Sequence, residues 1–225
     1  MTTSGTAVFN LDVSDLIEES FERCGQELRT GYELKTARRS LNLLTVEWSN
    51  RGINLWTIEQ GVISLVQGQA TYNLPTDTID LLDMVVRNGT AQNQTDININ
   101  RISVSTYATI PNKNATGRPI QVWINRQITP QINVWPTPDG NQYSFIYWRL
   151  RRIQDASGST QTMDIPFRFL NCLVAGLAYY LSMKLPVDPG RRVELKMDYE
   201  QQLQMAMDED REKAPLRFVP RAMFY

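Results

Sequence analysis

The 225-residue chain contains no histidine. Without an imidazole it has no Ser-His-Asp or Cys-His nucleophilic centre and no zinc-protease helix with two histidine ligands. It also lacks the glycine-rich sequences that hold the phosphates of nucleotides. These absences exclude several large classes of enzyme. We predict no catalytic, cofactor-binding or metal-binding residues.

Cysteine is nearly absent as well. Cys24 and Cys172 lie far apart and neither belongs to a C-x-x-C motif, which excludes zinc ribbons, redox dithiols and a disulfide-stapled scaffold. We expect two buried, reduced thiols. The first twenty residues lack a secretory signal, and the longest apolar run without a charge, 169–183, is shorter than the roughly 20 residues that span a bilayer. The sequence predicts a soluble, intracellular or assembled protein with no membrane partner.

The charges nearly cancel, with 23 Lys and Arg against 24 Asp and Glu. A protein that wraps nucleic acid usually has a strong basic excess. The local exception is Arg149, Arg151 and Arg152, which follow Tyr147 and Trp148. Basic side chains next to aromatic ones can bind nucleic acid. The simpler interpretation is a strand whose alternation gives the sheet one apolar and one basic face.

Residues 1–53 have the pattern of a helical hairpin. Asp15 and Glu18 have capping-box spacing at the start of the first helix, and Gly52 is placed to end the second. Apolar residues recur at helical spacing in both segments. They are Leu16, Ile17, Phe21, Cys24 and Leu28 in the first helix, and Leu34, Ala37, Leu41, Leu44 and Trp48 in the second.

Residues 54–153 predict an inserted antiparallel β domain, because short apolar stretches alternate with turn sequences. The candidate strands are 55–59, 62–66, 70–74, 82–87, 97–102, 120–125, 131–135 and 143–151. The stretch 88–142 carries 15 Asn and Gln but only six charged side chains. Such strands favour a surface that pairs with neighbouring copies; a merely solvated sheet face is the alternative.

Residues 154–213 predict two helices that pack on the amino-terminal hairpin. The second of them opens at Asp188-Pro189-Gly190, and the small residues Ala175, Gly176 and Ala178 in the first allow a neighbouring helix to approach closely. The predicted buried stripes are Leu170, Val174, Leu177 and Leu181, then Leu195, Tyr199, Leu203 and Ala206. The fold class is therefore α+β, a helical bundle from both chain ends with the β domain inserted.

Residues 214–225 predict an extended docking tail. Two prolines forbid a regular helix, and both charged side chains are arginines. An apolar, basic segment of this kind should dock on something. The candidate docking residues are Arg217, Phe218, Val219, Arg221, Met223, Phe224 and Tyr225.

Two acidic groups could suggest a cation site or a pair of catalytic carboxylates. Asp77, Asp80 and Asp83 recur every third residue, but no glycine turn or bidentate glutamate accompanies them. We assign them turn and cap roles. The acidic run 208–210 is predicted to be a solvated helix end.

The run 41–87 resembles the head-to-tail adaptor proteins of tailed bacteriophages, of the tail accessory factor and tail tubular protein A types. The matching features are Trp48 at a helix end, the Arg51-Gly52-Ile53 turn, Leu55-Trp56, the Tyr72-Asn73-Leu74-Pro75 strand end and the acidic-apolar segment after it.

The resemblance implies a non-enzymatic virion protein, assembled in the host cytoplasm. It implies a ring, usually of twelve copies, that binds the portal protein and a distal tail or nozzle protein and extends the channel for passing DNA. No cofactor is implied, and the tail of the chain would reach the portal. Two alternatives remain open: a neck or tail-completion protein that closes the tube, and a carboxylate-based cell-wall hydrolase with two acids about 5 to 9.5 Å apart across a cleft.

Overall fold

The computed structural model describes residues 3–53, 55–89 and 91–210. The chain divides into two compact units, a helical unit from residues 1–56 with 154–225 and a β unit from residues 57–153. The α+β fold class is confirmed. In the sequence, the helices of the helical unit come before and after a segment that carries two sheets. The predicted tail, 214–225, lies outside the described residues.

The α-helices within the described residues are α1 (Val13–Arg23), α2 (Gly31–Arg51), α3 (Val104–Thr109), α4 (Leu170–Ser182) and α5 (Pro189–Glu209). All but α3 belong to the helical unit. There α4 is the central element, because it packs against α1, α2 and α5. Within the described residues, none of these helices is long and apolar enough to cross a membrane.

Close helix packing depends on Gly176 in α4. A Cβ atom at this position would lie 2.8 Å from the ring of Tyr199 in α5 and 2.9 Å from Cδ2 of Leu44 in α2, closer than carbon atoms pack in protein interiors. The predicted close approach is confirmed, and it involves two helices. The predicted stripes of α4 and α5 are buried throughout their length.

The helix ends differ in part from the predictions. The cap of α1 is Asp12, whose carboxylate accepts the Asp15 N–H at 2.9 Å, so the helix begins one turn earlier, at the buried Val13. The capping box lies instead at the start of α2, between Thr30 and Glu33. The run 208–210 is not wholly solvated: the Asp210 carboxylate is buried 3.7 Å from the Arg168 guanidinium.

The β unit contains two four-stranded sheets in the orders β1-β8-β3-β4 and β2-β7-β6-β5. Neighbouring strands are antiparallel except β5 and β6. Both sheets contribute apolar side chains to one core, including Val86, Val122 and Phe145. The strands are β1 (Ile58–Ser64), β2 (Thr71–Asn73), β3 (Thr78–Asn88), β4 (Thr95–Asn98), β5 (Asn100–Ile102), β6 (Gln121–Asn125), β7 (Gln131–Trp135) and β8 (Tyr143–Arg151).

Three of the predicted strands were wrong. The segments 55–59 and 62–66 are largely one strand, β1, because Gly61 is not a break: a Cβ there would lie 2.3 Å from the ring of Tyr147 across the pair. The segment 97–102 forms β4 and β5 in different sheets, with Ile99 buried between them. Helix α3 was not predicted, since it has no buried residue and hence no apolar periodicity.

Candidate interaction surfaces

The residues that carry the adaptor resemblance have structural roles. Trp48 is fully buried, and its Nε1 donates a hydrogen bond to the Tyr199 hydroxyl at 3.2 Å. Trp56 donates to the carbonyl of Asp164 at 2.9 Å. In the β unit the Tyr72 hydroxyl accepts the Val66 N–H at 2.9 Å and fixes the turn between β1 and β2. These three side chains make hydrogen bonds within their own units.

A polar cluster around Glu47 joins three helices. The Glu47 carboxylate of α2 accepts hydrogen bonds from Tyr180 of α4 and from Tyr199 of α5, and it pairs with Arg51 at 2.5 Å. Burial raises the pKa of Tyr180 to about 12 and raises the pKa of Tyr199 as well. Both phenols are therefore neutral donors near pH 7, and the cluster ties the helices together.

The basic residues of β8 do not form an open basic face. Arg149 is only 8% exposed, and its guanidinium contacts Asp77 at 2.5 Å and Glu59 at 2.7 Å. The hydrogen bond from Arg149 holds the pKa of the Asp77 carboxyl below its usual value. Arg149 follows the buried Phe145 and Tyr147 at every second residue, so it extends their face of the sheet. The predicted basic face was wrong, because carboxylates far away in sequence neutralise Arg149.

The three regularly spaced aspartates do not converge on one site. Asp77 lies in the turn before β3, as predicted, but Asp80 and Asp83 lie within that strand. Asp80 pairs with Arg101 at 2.9 Å and with Arg126 at 3.4 Å. Across the described parts of the chain, no group of three or more acidic or cysteine side chains could hold a metal ion.

The two cysteines are buried and unpaired. Burial raises the pKa of Cys24 to about 11 and that of Cys172 to about 12. Thiols with such pKa values remain protonated near neutral pH and are poor nucleophiles. The expectation of two buried free thiols is confirmed.

An acidic groove of about 490 Å³ runs along the outer face of α1. Asp15, Glu18 and Glu22 line it, and so do Phe9 and Leu11 of the preceding segment. The acids are all on the helix side opposite the buried stripe. Because they share one helix face, they do not form a pair that faces across a cleft, as a carboxylate hydrolase requires. Sequence reasoning missed this groove, although the acidic spacing was visible in the sequence.

A basic stripe runs along the outer face of α2. It consists of the exposed residues Tyr32, Lys35, Arg39, Leu43 and Val46, which recur every three or four positions. The opposite side of α2 contains the buried residues Leu41, Leu44 and Trp48. The stripe therefore combines two cations with three apolar side chains on one exposed surface.

The predicted docking residues of the tail, Arg217, Phe218, Val219, Arg221, Met223, Phe224 and Tyr225, lie outside the described residues.

Residues 11–220 match the family model described as SU10 adaptor protein. The chain belongs to the SU10 adaptor protein family. The match includes the helical unit and the β unit almost in full. This is a phage-type family of structural adaptors, so the SU10-family chain is a structural component of a virion that contacts other phage structural proteins. A search of curated proteins found no match.

Proposed function

We propose that this SU10-family protein is a head-to-tail adaptor of the tail accessory factor or tail tubular protein A type. Twelve copies form a closed ring beneath the portal, extend the DNA channel and connect it to a distal tail or nozzle protein. The observation that carries the proposal is the family match over residues 11–220, which includes the 41–87 segment with the adaptor pattern.

The charge distribution supports a channel role. The chain is balanced at a formal charge of −1, and its buried Arg149 is neutralised within the β unit. A strongly basic lining would hold a polyanion by releasing its counterions. A nearly neutral protein lets DNA slide past with transient contacts only.

Mass measurement on assembled complexes tests the ring. The portal with the adaptor bound should exceed the bare portal by twelve chains of 25.9 kDa each. A protein that stays monomeric with the portal present, and that never enters virions, would refute the proposal. A ring that closes the tail tube away from the portal would identify a neck or tail-completion protein instead.

The docking tail gives a separate prediction. Deleting residues 215–225 should weaken portal binding about tenfold or more, because the deletion removes Arg217, Arg221 and the neighbouring aromatic groups from the contact. The melting temperature should hardly change, since the described core of the helical unit lies in α1, α2, α4 and α5. Binding is measured on immobilised portal.

Charge variants of the tail provide the matched control. Arg217→Lys with Arg221→Lys keeps the positive charge and should retain most of the binding, whereas Arg217→Glu with Arg221→Glu should lose it. Full portal binding by the truncated chain would rule out this role for the tail.

A further inference from the structure

We propose that the acidic groove of one copy receives the basic stripe of the next copy in the ring. The groove consists of Asp15, Glu18 and Glu22 with Phe9 and Leu11, and the stripe of Tyr32, Lys35, Arg39, Leu43 and Val46. The inference rests on the proposed ring and identifies the helical surfaces that close it.

The groove is acidic overall but contains one cation, Arg23. Glu19 on the same helix pairs with Arg23 at 3.0 Å, but Asp15, Glu18 and Glu22 are exposed and form no ion pair in the described parts of the chain. Like charges three and four residues apart on a helix repel each other and weaken it. A cationic partner would relieve this repulsion.

The groove also presents apolar surface beside these acids. Phe9 is 76% exposed and lines the same groove as Glu18 and Glu22, above the buried side chains of Leu170 and Val174. A partner that matches the groove must therefore carry both positive charge and apolar side chains. Nucleic acid does not fit, because its phosphates would meet the acids.

The basic stripe has this complementary chemistry. Lys35 and Arg39 are exposed and form no ion pair within the described residues. Leu43 and Val46, which are 55% and 42% exposed, continue the stripe on the same face of α2. Exposed apolar side chains in line with unpaired cations are typical of an interface rather than of a solvated helix face.

The spacings of the two surfaces match. Glu18 and Glu22 are four residues apart on α1, as are Lys35 and Arg39 on α2, so each pair spans about 6 Å along its helix axis. Both acids can therefore meet both cations at once, in a side-by-side packing of the two helices. Electrostatic pairing of this kind fixes the register of an interface and excludes wrong partners.

The two surfaces also suit a ring. A contact between two different patches is heterologous, and each copy then offers one groove and one stripe. The groove and the stripe lie on the outer faces of α1 and α2, whose inner faces both pack on α4. In a closed ring every groove is filled, whereas a basic segment of another protein would leave the stripe uncovered.

Charge reversal tests the pairing. One variant reverses the groove, Glu18→Lys with Glu22→Lys, and a second reverses the stripe, Lys35→Glu with Arg39→Glu. Each alone should reduce ring assembly on the portal about tenfold or more, because like charges then face each other. The chain that carries all four substitutions should assemble as the wild type does. An equimolar mixture of the two variants should also assemble, with the variants alternating around an even-numbered ring.

The control reverses two exposed acids of α5, Glu194→Lys with Glu200→Lys, which changes the net charge as the groove variant does. Their ion pairs with Arg191 and Lys196 are solvent-exposed and contribute little to stability. It should assemble normally. Circular dichroism and melting curves establish that each variant is folded. Ring mass is read by native mass spectrometry.

The outcomes separate the two proposals. Normal rings from both single-surface variants, or no rescue by the four-fold chain and the mixture, would overturn the pairing while leaving the ring intact. A wild-type chain that forms no ring on its portal would overturn the ring itself and the pairing with it.

Discussion

The two units use their charged side chains in different ways. In the β unit, Arg87, Arg101 and Arg149 each lie within 3 Å of a carboxylate of the same unit. In the helical unit, three exposed acids of α1 and two exposed cations of α2 form no ion pair among the described residues. They are Asp15, Glu18 and Glu22, and Lys35 and Arg39. These arginines stabilise the β unit internally. The helical unit has ion pairs of its own, such as Glu19 with Arg23 and Glu47 with Arg51, but in the pairing that we propose it also keeps opposite charges on α1 and α2 for contact with the next copy.

This difference is invisible in the composition. A net charge of −1 describes equally well a protein with every charge paired internally and one with two opposite patches on separate faces. The first would be a passive surface. The second can join identical copies, because each patch on one copy is complementary to the other patch on the next.

The largest effect should come from filling the space at Gly176. Gly176→Val should destabilise the helical unit by about 3 kcal/mol, because the added atoms would overlap with Tyr199 and Leu44. Hydrogen exchange should show lost protection in α2, α4 and α5 and little change in the β strands. Gly31→Ala, where nothing lies within 4 Å, is the control. An equal loss of hydrogen-exchange protection in both units would contradict an effect confined to the helical unit.

The next effect should come from Arg149 in the β unit. Arg149→Gln should cost about 2 kcal/mol, below the usual cost of breaking a buried ion pair, because Glu59 and Asp77 are half-exposed and can regain water. Denaturant unfolding measures the loss. Arg126→Gln, which removes an exposed cation 3.4 Å from Asp80, should cost less than about 0.5 kcal/mol.

Acid provides an independent check on the Arg149 variant. The folded-state pKa of Asp77 is lowered, so its contribution to stability is present above the unfolded value of about 3.9 and is lost as the pH falls through the folded value. The stability difference between the wild type and the variant should therefore shrink below about pH 4. A difference that is constant down to low pH would contradict the pairing of Arg149 with Asp77.

The smallest effect should come from the Glu47 cluster. Tyr199→Phe should destabilise the helical unit by about 1 kcal/mol, because the buried Trp48 indole N–H loses its acceptor and Glu47 loses one of its donors. Tyr180→Phe removes only the contact with Glu47 and should cost less. Thermal unfolding compares the two variants. A greater loss from Tyr180→Phe would show that the Tyr180–Glu47 hydrogen bond contributes more than both hydrogen bonds of Tyr199.

The sequence predicted those elements whose periodicity comes from their own buried stripe. Helices α2, α4 and α5 were recognisable because Trp48, Leu177 and Leu195 belong to regular apolar patterns. The prediction divided strand β1 in two at Gly61. A glycine is required there because the ring of Tyr147, 86 residues away in the sequence, packs against its backbone. Local pattern cannot reveal a contact of that kind.

The same limit applied to the surfaces. The pairing of Arg149 with Glu59 and Asp77 joins residues 90 and 72 positions apart, so the run 147–152 suggested a basic face that does not exist. The groove and the stripe required knowledge of which faces of α1 and α2 are buried. The predicted docking tail is still a prediction.

Cryo-EM of the virion neck tests the central claim most directly. We expect a ring of twelve copies directly beneath the portal, with DNA on its axis and each α1 groove against the α2 stripe of a neighbour. A virion in which the protein does not contact the portal, or in which it closes the tail tube instead of continuing the channel, would contradict the proposed function.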